Sequence, residues 1–173
     1  REELDIFPDY KGVTVPYNIA PLNFMTDCFA KGKVKVEASD GSALVCRMRN
    51  GKVCFPVRKW RALLESAKGA TLTVTVMDND SKAYEPFEIS VAEEPVDRYI
   101  AYRLIDPGYV LWNEMGIYQR DLESFRQRAV VENRDLDHAC VNCHSFADRD
   151  PEAMVFHART TAHGGTYVTV DGR

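Results

Sequence analysis

The 173-residue chain lacks any run of 18 or more apolar residues, which excludes a membrane-spanning helix of ordinary length. It also lacks an excess of positive charge. The formal net charge is -4 at pH 7, and the basic residues are scattered along the sequence. We therefore expect no nucleic-acid partner. The chain begins at Arg1 without an initiator Met or an apolar leader, and we expect this start to be a processed or truncated end.

Motifs of hydrolases and nucleotide-binding enzymes are absent as well. The sequence contains no G-x-S-x-G, no H-E-x-x-H, no phosphate-binding glycine loop and no dinucleotide-binding glycine pattern. The acidic residues at 147–151 fit the start of a helix better than a catalytic carboxylate pair. Residues 78–81 fit a β-turn better than a calcium loop, because the glycine and the distal glutamate of such a loop are missing. We do not expect an enzyme.

Cysteine is present, but in an odd and uneven set of five that does not form a disulfide framework. Five is also more than a cytosolic protein of this size needs, which favours an exported protein. If two of them serve a cofactor, at most two of the other three can pair within the chain. The five are Cys28, Cys46, Cys54, Cys140 and Cys143.

Residues 1–98 show the pattern of a β domain. The proline-rich stretch at 6–24 has no helical period and is expected to run extended along a sheet edge. Further on, short segments alternate polar and apolar residues, which is typical of half-buried antiparallel strands. These predicted strands are residues 34–37, 43–47, 52–55, 71–77 and 87–92.

Two local signals refine this β domain. The Asn50-Gly51 dipeptide predicts a two-residue hairpin that places Arg49 opposite Lys52. In that register Cys46 and Cys54 lie on opposite faces of the ribbon, so no disulfide is expected between them. One helix is predicted over residues 57–68, stopped at a glycine, with an apolar face for packing. That face consists of Trp60, Leu63 and Leu64.

From residue 99 the composition changes, and the pattern predicts a small, mostly helical segment. One helix is expected over residues 119–132, where apolar residues recur at helical spacing. Another is expected to begin with Asp150 as N-cap and to carry Met154 and His157 on one face. A strand should follow a glycine hinge after His163. The predicted fold class is therefore α+β: an antiparallel, immunoglobulin-like β-sandwich over residues 1–98, then a helical haem segment over 99–173.

The motif Cys140-Val-Asn-Cys143-His144 has the spacing of a c-type haem attachment site. Two thiols three positions apart can each bond one vinyl group of a porphyrin, and the adjacent imidazole then reaches the iron. The motif would arise in about 0.3% of shuffled chains of this composition. We predict one covalent haem c, held by both cysteines, with His144 as the proximal iron ligand.

Other interpretations of the motif remain open. The two cysteines could form a local disulfide or be simply buried. They could also be half of a zinc site completed by His157 and His163. A thioredoxin-like role is weaker, because no βαβ pattern surrounds the motif. The sixth iron ligand is equally open: Met154, His157, the less favoured His163 and an open position are all considered.

Four segments together resemble a group of exported Bacteroidetes proteins labelled as cytochrome c biosynthesis or TolB-like proteins. They are residues 18–24, 102–109, 115–120 and 140–146. In that group a β-rich part and a C-x-x-C-H segment precede a β-propeller. The resemblance implies that Cys140 and Cys143 are thioether positions and that His144 is the proximal ligand. It also implies that the chain is a fragment ending near the start of a propeller.

Motif and resemblance together predict a protein of the periplasm or outer membrane that works in electron transfer or redox sensing. The expected partner is an envelope protein complex or a redox protein, and a lipid anchor could lie upstream. The alternative is a non-catalytic interaction module of the envelope in which the cysteines of the motif are structural.

Overall fold

In a computed structural model of the chain, residues 1–105, 115–159 and 164–169 are described. Over these ranges the chain is mostly β, with one α-helix, and it divides into two compact units. The N-terminal unit comprises Arg1–Arg98 and Leu122–Phe125, and the C-terminal unit comprises Tyr99–Asp121 and Arg126–Arg173. No helix in the described ranges is long and apolar enough to cross a membrane.

Seven strands of the N-terminal unit that fall within the described residues form one sheet, in the order β1-β7-β6-β3-β4-β5-β2. All neighbouring pairs are antiparallel except the edge strand β1, which runs parallel to β7. A single helix, α1, follows β5. The elements are β1 Thr14–Pro16, β2 Phe24–Met25, β3 Lys31–Ala38, β4 Ala43–Arg49, β5 Lys52–Val53, α1 Val57–Ser66, β6 Thr71–Asp78 and β7 Phe87–Ala92.

One face of this sheet is buried because apolar residues alternate along the strands. β3 buries Val34 and Val36 while the alternating Lys33 and Lys35 are exposed, and β6 alternates in the same way. The helix covers that face with the three apolar residues expected from its spacing. Trp60 is the largest of them and stacks on Phe55 with ring centroids 5.1 Å apart. The core therefore lies between the sheet and α1.

Most local predictions for this unit are confirmed. Four of the five predicted strands form over their whole length, the fifth is shorter than predicted as β5 Lys52–Val53, and the Asn50-Gly51 turn pairs Arg49 with Lys52. Of the proline-rich stretch, Thr14–Pro16 lies at the sheet edge as β1. Cys46 and Cys54 are both free thiols, as expected from their positions.

The predicted immunoglobulin-like β-sandwich is wrong. Its strands are hydrogen-bonded into a single seven-stranded sheet within the described residues, and α1 and the N-terminal segment supply the second layer. Leu4, Ile6 and Leu22 of that segment enter the same core as Trp60. Alternation shows that each strand buries one face, but a helix can cover that face as well as a second sheet can.

The C-terminal unit contains two three-stranded antiparallel sheets within the described ranges, with orders β10-β9-β8 and β11-β12-β13. Short 3₁₀ turns at Asn133–Leu136 and Ala147–Arg149 flank β11. The strands are β8 Tyr99–Ile105, β9 Met115–Asp121, β10 Gln127–Glu132, β11 Cys140–Phe146, β12 Met154–Arg159 and β13 Gly165–Thr169. The predicted mostly helical haem segment is therefore wrong, and with it the α+β class, because this part is β as well.

The helix predicted over residues 119–132 is a hairpin, β9 and β10, with Leu122–Phe125 in its turn. The apolar residues that suggested a helical face are split between the turn and β10. Ile117, two positions before the predicted start, is fully buried in the core of the C-terminal unit. Cross-strand pairing overrode a coincidental helical spacing here.

The helix predicted after Asp150 is the strand β12. Its alternate residues Met154, Phe156 and Ala158 are buried, which is the period of a strand. Met154 and His157 are three positions apart, so in a strand they lie on opposite faces rather than on one. The final predicted strand is confirmed as β13, which begins at the second glycine of the predicted hinge, Gly165, while His163 lies outside the described residues.

Candidate functional site

The C-x-x-C-H motif begins at the first residue of β11, and the strand is irregular there. Its antiparallel register with β12 runs evenly to Asn142 and resumes at Ser145, so Cys143 and His144 together oppose the single residue Phe156. Such a β-bulge takes a residue out of the hydrogen-bonded ladder and bends the strand. Cys143 has a φ of +55°, a left-handed conformation that is uncommon outside Gly, Asn and Asp. The bulge therefore falls within the motif itself.

Both thiols of the motif are free, and they differ in exposure. Cys140 is half-buried and Cys143 is exposed. Neither sulfur is consumed by a disulfide, so the local disulfide considered above is not formed in this structure. A thiol must be reduced and reachable before it can form a thioether, and this pair meets both conditions.

His144 is half-buried within the C-terminal unit. Its Nε2 lies 3.4 Å from the carbonyl oxygen of Ala101 on β8, and its ring meets Phe146 edge-on with centroids 6.5 Å apart. A ring nitrogen that donates a hydrogen bond to a carbonyl leaves the other nitrogen as an acceptor. Iron ligation through Nδ1 would keep the Ala101 contact, whereas ligation through Nε2 would replace it.

Met154 is not positioned to be the sixth iron ligand. Met154 is 4% exposed and packs in the core with Ile117, Val141 and Phe156. Its backbone N–H donates to the side-chain oxygen of Thr169. The Met154 sulfur would have to leave this core to reach an iron.

His157 lies on the other side of the sheet from His144. His144 contacts Phe146 two positions along β11, and Phe146 is the cross-strand partner of Met154. These three residues therefore share one face, whereas His157 points from the opposite face of β12, with Nδ1 3.3 Å from the Thr166 hydroxyl. The two histidines are thus not placed to ligate one iron from opposite sides.

The residue types match a covalent haem, because two free thiols precede an adjacent imidazole. The register does not gather them on one face: Cys140 is paired with Arg159 and lies on the face of His157, opposite to that of His144, so attachment would require the strand to rearrange. A zinc site finds less support. Among the residues that the structure describes, no group of three or more His, Cys, Asp or Glu is arranged to hold a metal ion. The zinc alternative also needed His163, which lies outside the described ranges.

One charged surface was missed from the sequence. The basic residues that seemed scattered alternate along β3 and β4, and the hairpin register brings Lys31 opposite Arg49 and Lys33 opposite Arg47. The signal was the period-two recurrence of cations on two segments that flank one turn. Neither segment alone contains a cluster of cations; the cluster forms only when β3 and β4 pair.

The fold and site define a mostly β chain with a C-x-x-C-H motif on a bulged strand. Comparisons with protein-family models, with curated proteins and with solved structures find no match.

Proposed function

We propose that this chain is a c-type haem-binding protein of the cell envelope, acting in electron transfer or redox sensing within an envelope complex. The observation that carries the proposal is the free thiol pair Cys140 and Cys143 followed directly by the imidazole of His144. A haem held there supplies one-electron chemistry at its iron. The proposal includes no catalytic turnover of a substrate.

The two cysteines have the simplest role. Each thiol adds across one vinyl group: a sulfur–carbon bond forms, and the thiol hydrogen goes to the other vinyl carbon. The step needs no oxidant, but it needs reduced sulfurs. The bulge supports this role because it takes Cys143 out of the regular ladder, where its side chain is exposed.

His144 supplies the proximal ligand. If Nδ1 holds the iron, the contact of Nε2 with the Ala101 carbonyl would orient the imidazole, and a hydrogen bond of this kind makes a metal-bound imidazole more basic. The sixth position is left to a ligand from outside this arrangement or to a rearranged side chain, since Met154 is in the core and His157 is on the other face.

Haem attachment can be tested directly. The chain should be exported in a bacterium that carries a c-type haem ligation pathway, and the purified protein denatured and stained for haem. We expect colour to stay with the wild-type chain. Cys140→Ser and Cys143→Ser should each lose one thioether and stain more weakly, and the double variant should lose covalent haem completely. A colourless wild-type chain from this host would overturn the proposal.

The matched controls are Cys28→Ser and Cys54→Ser. Both positions are exposed free thiols in the N-terminal unit, and neither belongs to the motif. We expect both variants to retain the full haem stain. If their stain weakens as much as that of Cys143→Ser does, the attachment is not specific to the motif.

A second candidate function is an envelope interaction module, and the exposure of β8 favours it. Tyr99, Ile100, Leu104 and Ile105 are each 45–49% exposed on one strand. Apolar clusters of this kind often mark protein-binding surfaces. Under this proposal the motif cysteines are structural, so the denatured chain should carry no colour after export with the ligation pathway.

A further inference from the structure

A second site of interest lies in the N-terminal unit, on the outer face of β3, β4 and β5. We call it the basic face and define it by five exposed cations. Lys31 stands opposite Arg49, Lys33 opposite Arg47, and Arg49 also opposite the fifth cation, Lys52. Like charges directly opposite each other on a sheet destabilise it. The basic face contains three such like-charged pairs next to one another.

The repulsion on the basic face is not offset by nearby carboxylates. No cation of the basic face forms an ion pair with any residue that the structure describes, whereas Lys35 pairs with Glu37 at 2.7 Å on the same strand. The whole chain is acidic, with a formal net charge of -4. A cluster of positive charge on an acidic protein is best explained by an anionic ligand that neutralises it.

The basic face borders a concave space. An open cleft of about 570 Å³ is lined by four of the five cations and by the end of the neighbouring strand β6 and the turn after it, with Met77, Asp78, Asn79 and Ser81. Gly32 is among the lining residues, and a Cβ atom there would come within 2.4 Å of the Met77 carbonyl oxygen. A larger residue would therefore not fit between β3 and β6 at this position.

One acidic side chain lines the cleft, and it is already engaged. The Asp78 Oδ1 accepts hydrogen bonds from the backbone N–H groups of Asp80 and Lys82, each at 2.9 Å. These bonds stabilise the turn after β6. The charge of Asp78 reduces the positive potential of the cleft without cancelling four cations.

The spacing of the cations indicates how the acidic groups of a ligand would have to be spaced. Directly opposed residues on antiparallel strands are about 5 Å apart, and alternate residues of one strand about 7 Å. Lys31, Lys33, Arg47 and Arg49 thus occupy the corners of a rectangle of roughly those dimensions. Such a ligand carries several acidic groups spaced along its length. The two guanidinium groups can each bind a sulfate or carboxylate with paired hydrogen bonds.

We propose that this cleft binds an acidic oligosaccharide, with the cations on its sulfate or carboxylate groups and with Asn50, Asn79 and Ser81 on its hydroxyls. Among the described residues that line the cleft none is aromatic, so a single-stranded nucleic acid would find no ring to stack on. Against a lipid surface, the cleft offers Met77 as its one exposed large apolar side chain among the described residues, fewer than the apolar face that inserts into a bilayer. Both remain distinguishable outcomes of the test.

The test uses the full chain without haem, so it does not depend on the proposed haem function. A sulfated octasaccharide is titrated by calorimetry, with an uncharged octasaccharide as the reference ligand. We expect binding to the sulfated probe alone. Four displaced counterions predict about twentyfold weaker binding between about 50 and about 150 mM NaCl. Absence of binding at the lower salt concentration would overturn the proposal.

The decisive variant is Lys33→Gln/Arg47→Gln, which removes one opposed pair. We expect at least tenfold weaker binding with unchanged or slightly higher stability, because the variant relieves a repulsion. The control is Arg58→Gln/Lys59→Gln, which removes the same charge from exposed positions of α1. The proposal requires this control to bind within about twofold of wild type. Equal weakening by both variants would contradict a defined site.

Vesicles with anionic lipid and a single-stranded oligonucleotide are titrated in parallel. The proposal requires the sulfated octasaccharide to bind more tightly than either, per unit of charge. Tighter binding of the vesicles would reassign the cleft to a lipid surface, and tighter binding of the oligonucleotide would reassign it to nucleic acid.

Discussion

Cys143 combines two properties that rarely meet in one residue. Its side chain belongs to the proposed attachment motif, and its backbone has a positive φ at a β-bulge. A side chain with a Cβ atom is strained in the left-handed region, by about 1 kcal/mol or more. Strain of this kind is tolerated where the surrounding structure enforces it, and it is concentrated at functional sites. The backbone strain at the bulge and the sequence motif therefore both indicate Cys143 as a candidate functional residue.

The cysteines outside the motif should differ in reactivity. Burial raises the pKa of the Cys46 thiol, and the ammonium of Lys59 counters this only in part. A raised pKa lowers the thiolate fraction at neutral pH, and the thiolate is the reactive form. We expect Cys46 to be alkylated more slowly than the exposed Cys28 and Cys54 at a pH of about 7.5.

Timed alkylation followed by peptide mass spectrometry measures these rates. In denaturant Cys46 should react at a rate similar to the other two, because its burial is lost. A Cys46 that reacts as fast as Cys28 in the folded chain would show that the thiol is more accessible than its position in β4 indicates.

At the level of elements, the β4–β5 hairpin depends on its glycine. Gly51 has a φ of +72°, and a Cβ atom there would come within 2.3 Å of the Thr26 carbonyl oxygen. The backbone N–H of Thr26 also donates to the Gly51 carbonyl at 2.8 Å. The turn is therefore held against the segment that follows β2, and the glycine is needed for close approach as well as for its conformation.

Gly51→Ala should destabilise the chain by about 2–3 kcal/mol, because it adds a backbone clash to conformational strain. Gly41→Ala is the matched control: its φ is +87°, but nothing lies within 4 Å of the added Cβ atom. It should cost about 1 kcal/mol from strain alone. Urea unfolding followed by circular dichroism measures both. Equal losses would mean that the hairpin shifts to accommodate the methyl group.

Elements of the N-terminal unit were predictable because each carries its own period. α1 has Trp60, Leu63 and Leu64 at helical spacing, and β6 alternates over its whole length. The helices predicted in the C-terminal unit were wrong because its short apolar patterns fit the period of a helix as well as that of a strand. The spacing of Met154 and His157 fits one face of a helix, whereas the spacing of Met154, Phe156 and Ala158 fits one face of a strand. The segment is a strand because burial of the second set stabilises it.

At the level of the whole molecule, each unit has its own core. Val141 is fully buried among Ile117, Met154 and Phe156 in the C-terminal unit, and the N-terminal core is built from other residues. Units with separate cores can lose structure separately. This property can be tested without the haem.

Val141→Asp should unfold the C-terminal unit alone, because an unpaired buried carboxylate costs at least about 3 kcal/mol. Hydrogen exchange with mass spectrometry should show lost protection in β11 and β12 and retained protection in β6. The control Val168→Asp lies on β13 of the same unit, at a position 67% exposed. It should leave both units protected. Lost protection in β6 would contradict separate cores.

The consecutive residues of this chain determine its local features: the C-x-x-C-H motif, the alternation of the strands, the helical face of α1 and the Arg49–Lys52 turn. These depend on backbone preferences over a few positions, so they can be predicted without the fold. Long-range strand pairing decided the rest. It joined seven strands into one sheet, buried Met154 while turning His157 away, and assembled the basic face from separate segments. Pairing partners are chosen by the burial and hydrogen bonding of the whole unit, which no local pattern contains.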